Sequence, residues 1–272
     1  MNNEKKKVNT KKVAIIAMVA AVVVALSVIL LAIFLPPKAL TEKDFDASNS
    51  WTKLIKNGLV TVHEDALIKV DERLYGTLTI PQTIKTVGDE AAMSCTELTG
   101  IIFPDGLKSI GKSAFYGCGG LTGDLVIPDS VTEIGEFAFY NCEGLKSLKL
   151  SNSLKVINQG AFSGCIGLEG DLIIPNSVEE IARHAFYLCH AVEKIDIGEK
   201  VFRIGAYAFY SCSAATDVYL HSSVNNIGFC AFYCCTMVQN IHFNGTEEQW
   251  NAINFGDHWD VNIENYTINY AN

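Results

Sequence analysis

Cysteine is the residue type most regularly placed to do chemistry in this chain. Cys95, Cys118, Cys142, Cys165, Cys189, Cys212 and Cys235 recur every 23 or 24 residues. Metal ligation needs cysteines two to four residues apart, so this spacing points away from a metal site. Disulfides along a stack would require neighbouring Cβ atoms near ~3.8 Å, whereas parallel strands hold them near ~4.8 Å. Reduced, buried thiols are therefore expected. Cys230, Cys234 and Cys235 form a local cluster. With His221 or His242 it could hold a metal, and as small apolar groups it could instead fill a core or groove.

Two other stretches match chemical motifs. Gly106-Leu107-Lys108-Ser109-Ile110-Gly111-Lys112-Ser113 satisfies the phosphate-loop pattern residue for residue. That chemistry needs a flexible loop between a strand and a long helix, with backbone N–H groups aimed at phosphate. Leu107 and Ile110 instead share columns with Val131 and Ile134, which are core positions, and nucleotide binding is not expected. His63-Glu64-Asp65-Ala66-Leu67 begins like a zinc-protease helix, but Leu67 stands where the second histidine is required. No nucleophile elbow, paired carboxylates or Ser-His-Asp arrangement is recognisable, so no catalytic residue, no cofactor and no metal site is expected.

The elements that position these cysteines are repeats. In six copies the cysteine closes the phrase Ala-Phe-x-x-Cys, as in Ala114-Phe115, Ala138-Phe139, Ala161-Phe162, Ala185-Phe186, Ala208-Phe209 and Ala231-Phe232; the first copy has Ala91-Ala92. Ahead of each phrase lies a short alternating stretch such as Leu125-Val126-Ile127, which reads as a strand. Pro81, Pro104, Pro128 and Pro175 end it, since proline cannot donate to a ladder. A Val-x-x-Ile-Gly segment follows, and then the Ala-Phe phrase as a short helical turn. One such unit cannot bury its own Phe; stacked units can, and a fixed period of this length means a solenoid. Gly123 and Gly170 belong to the two 24-residue repeats and suit a bulge or corner.

Leu-x-Ile-Pro, Val-x-x-Ile-Gly and Ala-Phe-x-x-Cys together resemble the BspA-like class of leucine-rich repeat over residues 59–270. Asn244-Gly245-Thr246-Glu247-Glu248-Gln249-Trp250 is similar to the segment that often closes such arrays, with Tyr266–Tyr270 as its last strand. Ser151, Gly198 and His221 depart from the proline of the pattern, and Asn158 and Ala182 from its glycine. The resemblance implies a surface or secreted protein, some of whose relatives bind matrix proteins or other cells. The expected fold is an α/β solenoid: a leucine-rich-repeat stack with a parallel sheet on one face, short helical turns on the other, and one N-terminal transmembrane helix.

That helix is read from Val13 to Leu35, 23 residues without charge. At ~1.5 Å per residue it spans a hydrocarbon core of ~30 Å. Its length and the Pro36-Pro37 that follows favour an uncleaved signal anchor over a cleaved leader. Lysines 5, 6, 7, 11 and 12 place the N-terminus in the cytoplasm and the body outside. No cysteine lies near it, which excludes a lipoprotein. The expected division is a basic tail over 1–12, an anchor over 13–35, a polar stalk over 36–58, capped repeats over 59–243 and a C-terminal cap over 244–272. The net charge of −9 is concentrated in the body, because the basic tail is the one cationic cluster. An acidic body argues against nucleic acid.

Surfaces carry more promise than sites. The middle residue of each strand faces away from the core. That column reads Thr79, Ile102, Val126, Lys149, Ile173, Asp196, Tyr219 and His242. Its apolar members suggest a binding patch, and β-propensity explains Val and Ile equally well. From Ile102 to His242 it is the candidate ligand-binding column. A second column, Tyr116, Tyr140, Ser163, Tyr187, Tyr210 and Tyr233, could recognise a partner or seal one repeat against the next. The function expected is a non-catalytic, surface-displayed recognition module that binds an extracellular protein or glycan. The alternative is a structural scaffold of an envelope membrane assembly.

Overall fold

The computed structural model describes residues 40–271. The basic tail 1–12, the span 13–35 and the first part of the stalk lie outside the described residues. Among the described residues, no helix is long and apolar enough to cross a membrane.

Residues 41–271 form a β-solenoid. Each coil contributes two strands, one more than the sequence pattern shows. The outer row is Gly76–Thr79, Leu98–Ile102, Asp124–Val126, Ser147–Lys149, Gly170–Ile173, Val192–Asp196, Asp217–His221, Asn240–Asn244 and Thr267–Tyr270. The second row is built from the Ile-Gly segments, such as Ser109–Ile110, Glu133–Ile134 and Arg203–Ile204. Both rows pair in parallel, coil on coil.

Neither row is continuous. The outer row divides into blocks of two, two and five strands, and each break precedes a strand of a 24-residue repeat. The extra Gly123 or Gly170 shifts the chain there, and the ladder does not bridge it. The second row breaks once, between Glu133–Ile134 and Val156–Ile157. Glycine normally fills the next position because coils approach closely: a Cβ on Gly205 would sit 2.6 Å from the Arg183 nitrogen and 2.7 Å from the Ala182 carbonyl carbon. Asn158 stands at this position at the break. Its side-chain Nδ2 donates to the Ile134 carbonyl at 2.7 Å, the acceptor that a backbone N–H takes in the next coils, as Gly205 does from Ile181 at 2.7 Å.

The Ala-Phe-x-x-Cys phrases are not helical turns, which corrects the expectation. The residue before Ala and the residue before Cys adopt left-handed φ in coil after coil: Phe137 and Asn141, His184 and Leu188, Tyr207 and Ser211, Cys230 and Cys234, all between 54° and 61° except Cys230 at 51°. No β-branched residue occupies either position, as sterics require. The alternation turns every second N–H toward the next coil. Phe137, Phe139 and Asn141 donate to the carbonyls of Gln159, Ala161 and Ser163 at 2.8–2.9 Å. A right-handed helical run would spend those donors within the coil.

The core is a set of columns. Phe115, Phe139, Phe162, Phe186, Phe209 and Phe232 are buried and stack face to face at 5.1–5.5 Å between centroids. The cysteine column is reduced, as expected. From Cys118 onward each thiol donates to the carbonyl of the Phe position one coil earlier: Cys142 to Phe115 at 3.2 Å, Cys165 to Phe139 at 3.3 Å, Cys235 to Phe209 at 3.1 Å. Burial pushes the Cys118, Cys165 and Cys235 thiols up to about 12. They are therefore protonated donors, not latent nucleophiles.

The ends differ. From Thr41 onward, the stretch expected as stalk belongs to the folded body. Helix Trp51–Lys56 buries Leu54, and the Trp51 indole donates to the Thr79 carbonyl at 2.7 Å. The hairpin Val60–His63 with Ala66–Val70 then opens the second row. At the other end, helix Glu247–Asn251 is held by a capping box between Thr246 and Gln249 and buries Trp250. A degenerate ninth coil follows. Asp257 and Trp259 accept from Cys230 and Phe232 through their carbonyls, as an ordinary coil would.

Candidate functional site

The outer row places the expected column on one face. Ile102, Val126 and Ile173 are 54%, 50% and 59% exposed, and Lys149 is exposed beside them. Asp196, Tyr219 and His242 are half-buried and continue the row through Asn269 by strict register. All seven expected residues thus share a face, but they divide into two chemistries. The four coils from Ile102 to Ile173 present aliphatic side chains and one lysine. The last four present a carboxylate, a phenol, an imidazole and an amide.

The polar half is built by the missing prolines. Where Pro175 ends its strand, the equivalent positions downstream are Gly198, His221 and Asn244. Without proline, Asp217–His221 and Asn240–Asn244 run five residues each and pair to their ends. An extra outward row results, in which Asn244 Nδ2 donates to His221 Nδ1 at 3.2 Å. On the other side of the column, Asp217 accepts from His242 Nε2 at 3.0 Å, from Thr216 at 2.8 Å and from Asn240 at 3.2 Å. These bonds, led by the one from His242, hold its carboxyl below the usual range. The Tyr219 and His242 rings stack at 4.4 Å. Asp196 goes the other way: partial burial raises its pKa. Its side chain has no hydrogen-bond or ion-pair partner among the described residues. A basin of about 360 Å³ opens between these rows, lined by Asp196, Tyr219, His221, His242, Asn244 and Asn269 among others. Strand alternation marks the column, but the outward row at His221 and Asn244 shows in the sequence only as departures from the repeat pattern. The signal was the loss of proline in consecutive repeats.

The other candidates fall elsewhere. The phosphate-loop match lies in the second row, with Leu107 and Ile110 fully buried. The Lys112 N–H donates to Asp89 Oδ1 at 2.7 Å and its ammonium pairs with Glu136 at 2.9 Å. The N–H groups of Lys108, Gly111 and Ser113 donate to the carbonyls of Lys85, Val87 and Glu136, so the donors that would cradle a phosphate are already committed. His63 ends its strand and Glu64-Asp65 forms the hairpin turn, with Glu64 at φ 54°, so no zinc-protease helix exists there. No cluster of three or more potential metal ligands occurs among the described residues; Cys234 instead accepts from Asn262 Nδ2 at 3.2 Å. The tyrosine column stacks on itself, Tyr116 on Tyr140 at 4.7 Å and Tyr187 on Tyr210 at 4.9 Å. The buried Ser163 interrupts it.

A family model for the BspA type leucine-rich repeat region matches residues 75–170 and 169–270, in six copies. The chain belongs to that family. No curated protein matches it. Among solved structures, this BspA-type protein is similar to a leucine-rich repeat protein from Bacteroides ovatus, with a TM-score of 0.58 and 23% identity over 78% of this chain and 62% of that one. It is also similar to one from Eubacterium ventriosum, with a TM-score of 0.53 and 26% identity over 59% and 45% of the two chains. A third, from T. pallidum, gives 0.50 and 23% over 72% and 82%. The BspA-type chain spans less than two thirds of the first two structures' length.

Proposed function

We propose that this BspA-type protein is a surface-displayed, membrane-anchored and non-catalytic recognition module that binds an extracellular protein or glycan across its outer strand face. One observation carries the reading. Ile102, Val126 and Ile173 stand half or more exposed on the outer row, one in each of its three blocks. Neighbouring aliphatic groups exposed on one face are the kind of surface that binds partners. The uncharged stretch from Val13 to Leu35, preceded by lysines, supports display outside the membrane.

The test is capture by living cells and by immobilised matrix proteins and glycans. Wild-type chain should be retained, and a variant with Ile102, Val126 and Ile173 changed to Ser and Tyr219 changed to Lys should not be. Equal retention of the two would end the strand-face reading. Protease added to intact producing cells should release the repeats; protection would contradict the outward topology. Loss of co-purifying membrane partners on replacing Val13–Leu35 with an unrelated span, with capture intact, would favour the scaffold reading.

A further inference from the structure

We infer that the C-terminal block of the strand face is a saccharide subsite, taking a neutral or amino sugar in the basin between Tyr219, His242 and the His221–Asn244 row. The inference rests on the strand face being the recognition surface and names what its polar half binds.

Several features converge on this occupant. The basin, at about 360 Å³, lies within the size range of small-ligand sites. Its polar groups are side chains that pair well with hydroxyls. Asp196 offers two carboxylate oxygens with no partner among the described residues, a geometry that adjacent ring hydroxyls satisfy. Asn244 and Asn269, both exposed, each add an amide donor and acceptor. The Tyr219–His242 stack, at 4.4 Å with 10° between planes, supplies a rigid aromatic wall for the C–H face of a pyranose. Asp217, on the other side of the column, holds His242 in place through its Nε2.

The same geometry disfavours other ligands. An extended peptide added as a strand needs a free edge, yet the Asp217–His221 and Asn240–Asn244 strands are paired on both sides. An anionic ligand would meet the unpartnered Asp196 carboxylate that lines the basin. Tyr219, His221, His242 and Tyr270 are the remaining titratable groups that line the basin, and His242 is bound to Asp217.

The test uses the full chain in a zwitterionic, sugar-free detergent on an array of neutral, amino-sugar and acidic oligosaccharides. Binding to members of the first two classes is expected, with competition by the same oligosaccharide free in solution. Asp196→Asn and Tyr219→Ala should each weaken it at least tenfold, whereas Tyr187→Ser on the turn face should leave it unchanged. Asp196→Asn keeps the shape of its residue, so it reads the site even where Tyr219→Ala disturbs the strand. Binding confined to acidic glycans, no binding at all, or binding indifferent to Asp196→Asn would overturn the inference. Cell capture by the same variants separates the two claims. If Ile102→Ser with Val126→Ser abolishes capture while the array shows no sugar, the subsite is wrong and the strand face stands. If neither set of substitutions alters capture, the strand-face reading itself fails.

Discussion

The interior and the strand face of this solenoid follow opposite rules. Inside, coil after coil repeats Phe, Cys, Ala and Ile at the same height, and each side chain packs against its own copy. On the strand face, neighbouring coils carry Val, Lys, Ile, Asp, Tyr and His at equivalent positions. A repeated residue answers to stacking, which every coil shares. A varied residue answers to something outside the stack. The contrast teaches where stability and where recognition should be sought.

The sharpest way to break the contrast is to remove one interior ring. Phe162 stacks on Phe139 and Phe186 at 5.4 and 5.5 Å. Phe162→Ala should cost about 4 kcal/mol in denaturant unfolding. A loss below about 1 kcal/mol would show that the column is not the core.

The thiol column predicts how the interior meets alkali. An exposed thiol ionises near 9.0, while Cys118, Cys165 and Cys235 are held at about 12 by burial. The folded state therefore keeps protons that the unfolded state gives up. Their contribution is whole below pH 9 and is lost as pH rises toward 12. Melting temperature should fall steeply across that window, and a flat profile would contradict buried thiols. Alkylation at pH 8 reads the same feature more gently. Cys234, the half-buried member, should react in the folded chain, while the seven column cysteines should react only after denaturation. Rapid labelling of Cys165 in the folded chain would be inconsistent with its place in the core.

The strand face should show the reverse. Ile173→Ser ought to change unfolding free energy by less than about 0.5 kcal/mol while weakening capture of cells. A large stability cost with capture unchanged would move Ile173 into the structural class.

The same contrast explains what could be read from sequence. The solenoid, the core columns and the outward column were legible because periodicity encodes them directly. The turn geometry was not. Left-handed residues before Ala and before Cys leave only a negative signature, the lack of β-branched side chains. After the opening hairpin, each strand of the second row is two residues long and too short to alternate visibly. The last coil was hidden because Trp259, Asp260 and Ile263 replace Ala, Phe and Cys. The break at Asn158 needed the close approach of coils to be seen. Of the candidate site, the column was readable, but the outward row at His221 and Asn244 emerges only when the strands lengthen past the lost prolines.

Oxidative footprinting of the chain bound to cells or to a captured ligand tests the central claim most directly. Strand-face residues Ile102, Val126, Ile173, Tyr219 and His242 should become protected on binding, while Tyr187, Tyr210 and Phe229 on the turn face react as in the free chain. Protection of the turn-face aromatics with the strand face unchanged would contradict the account.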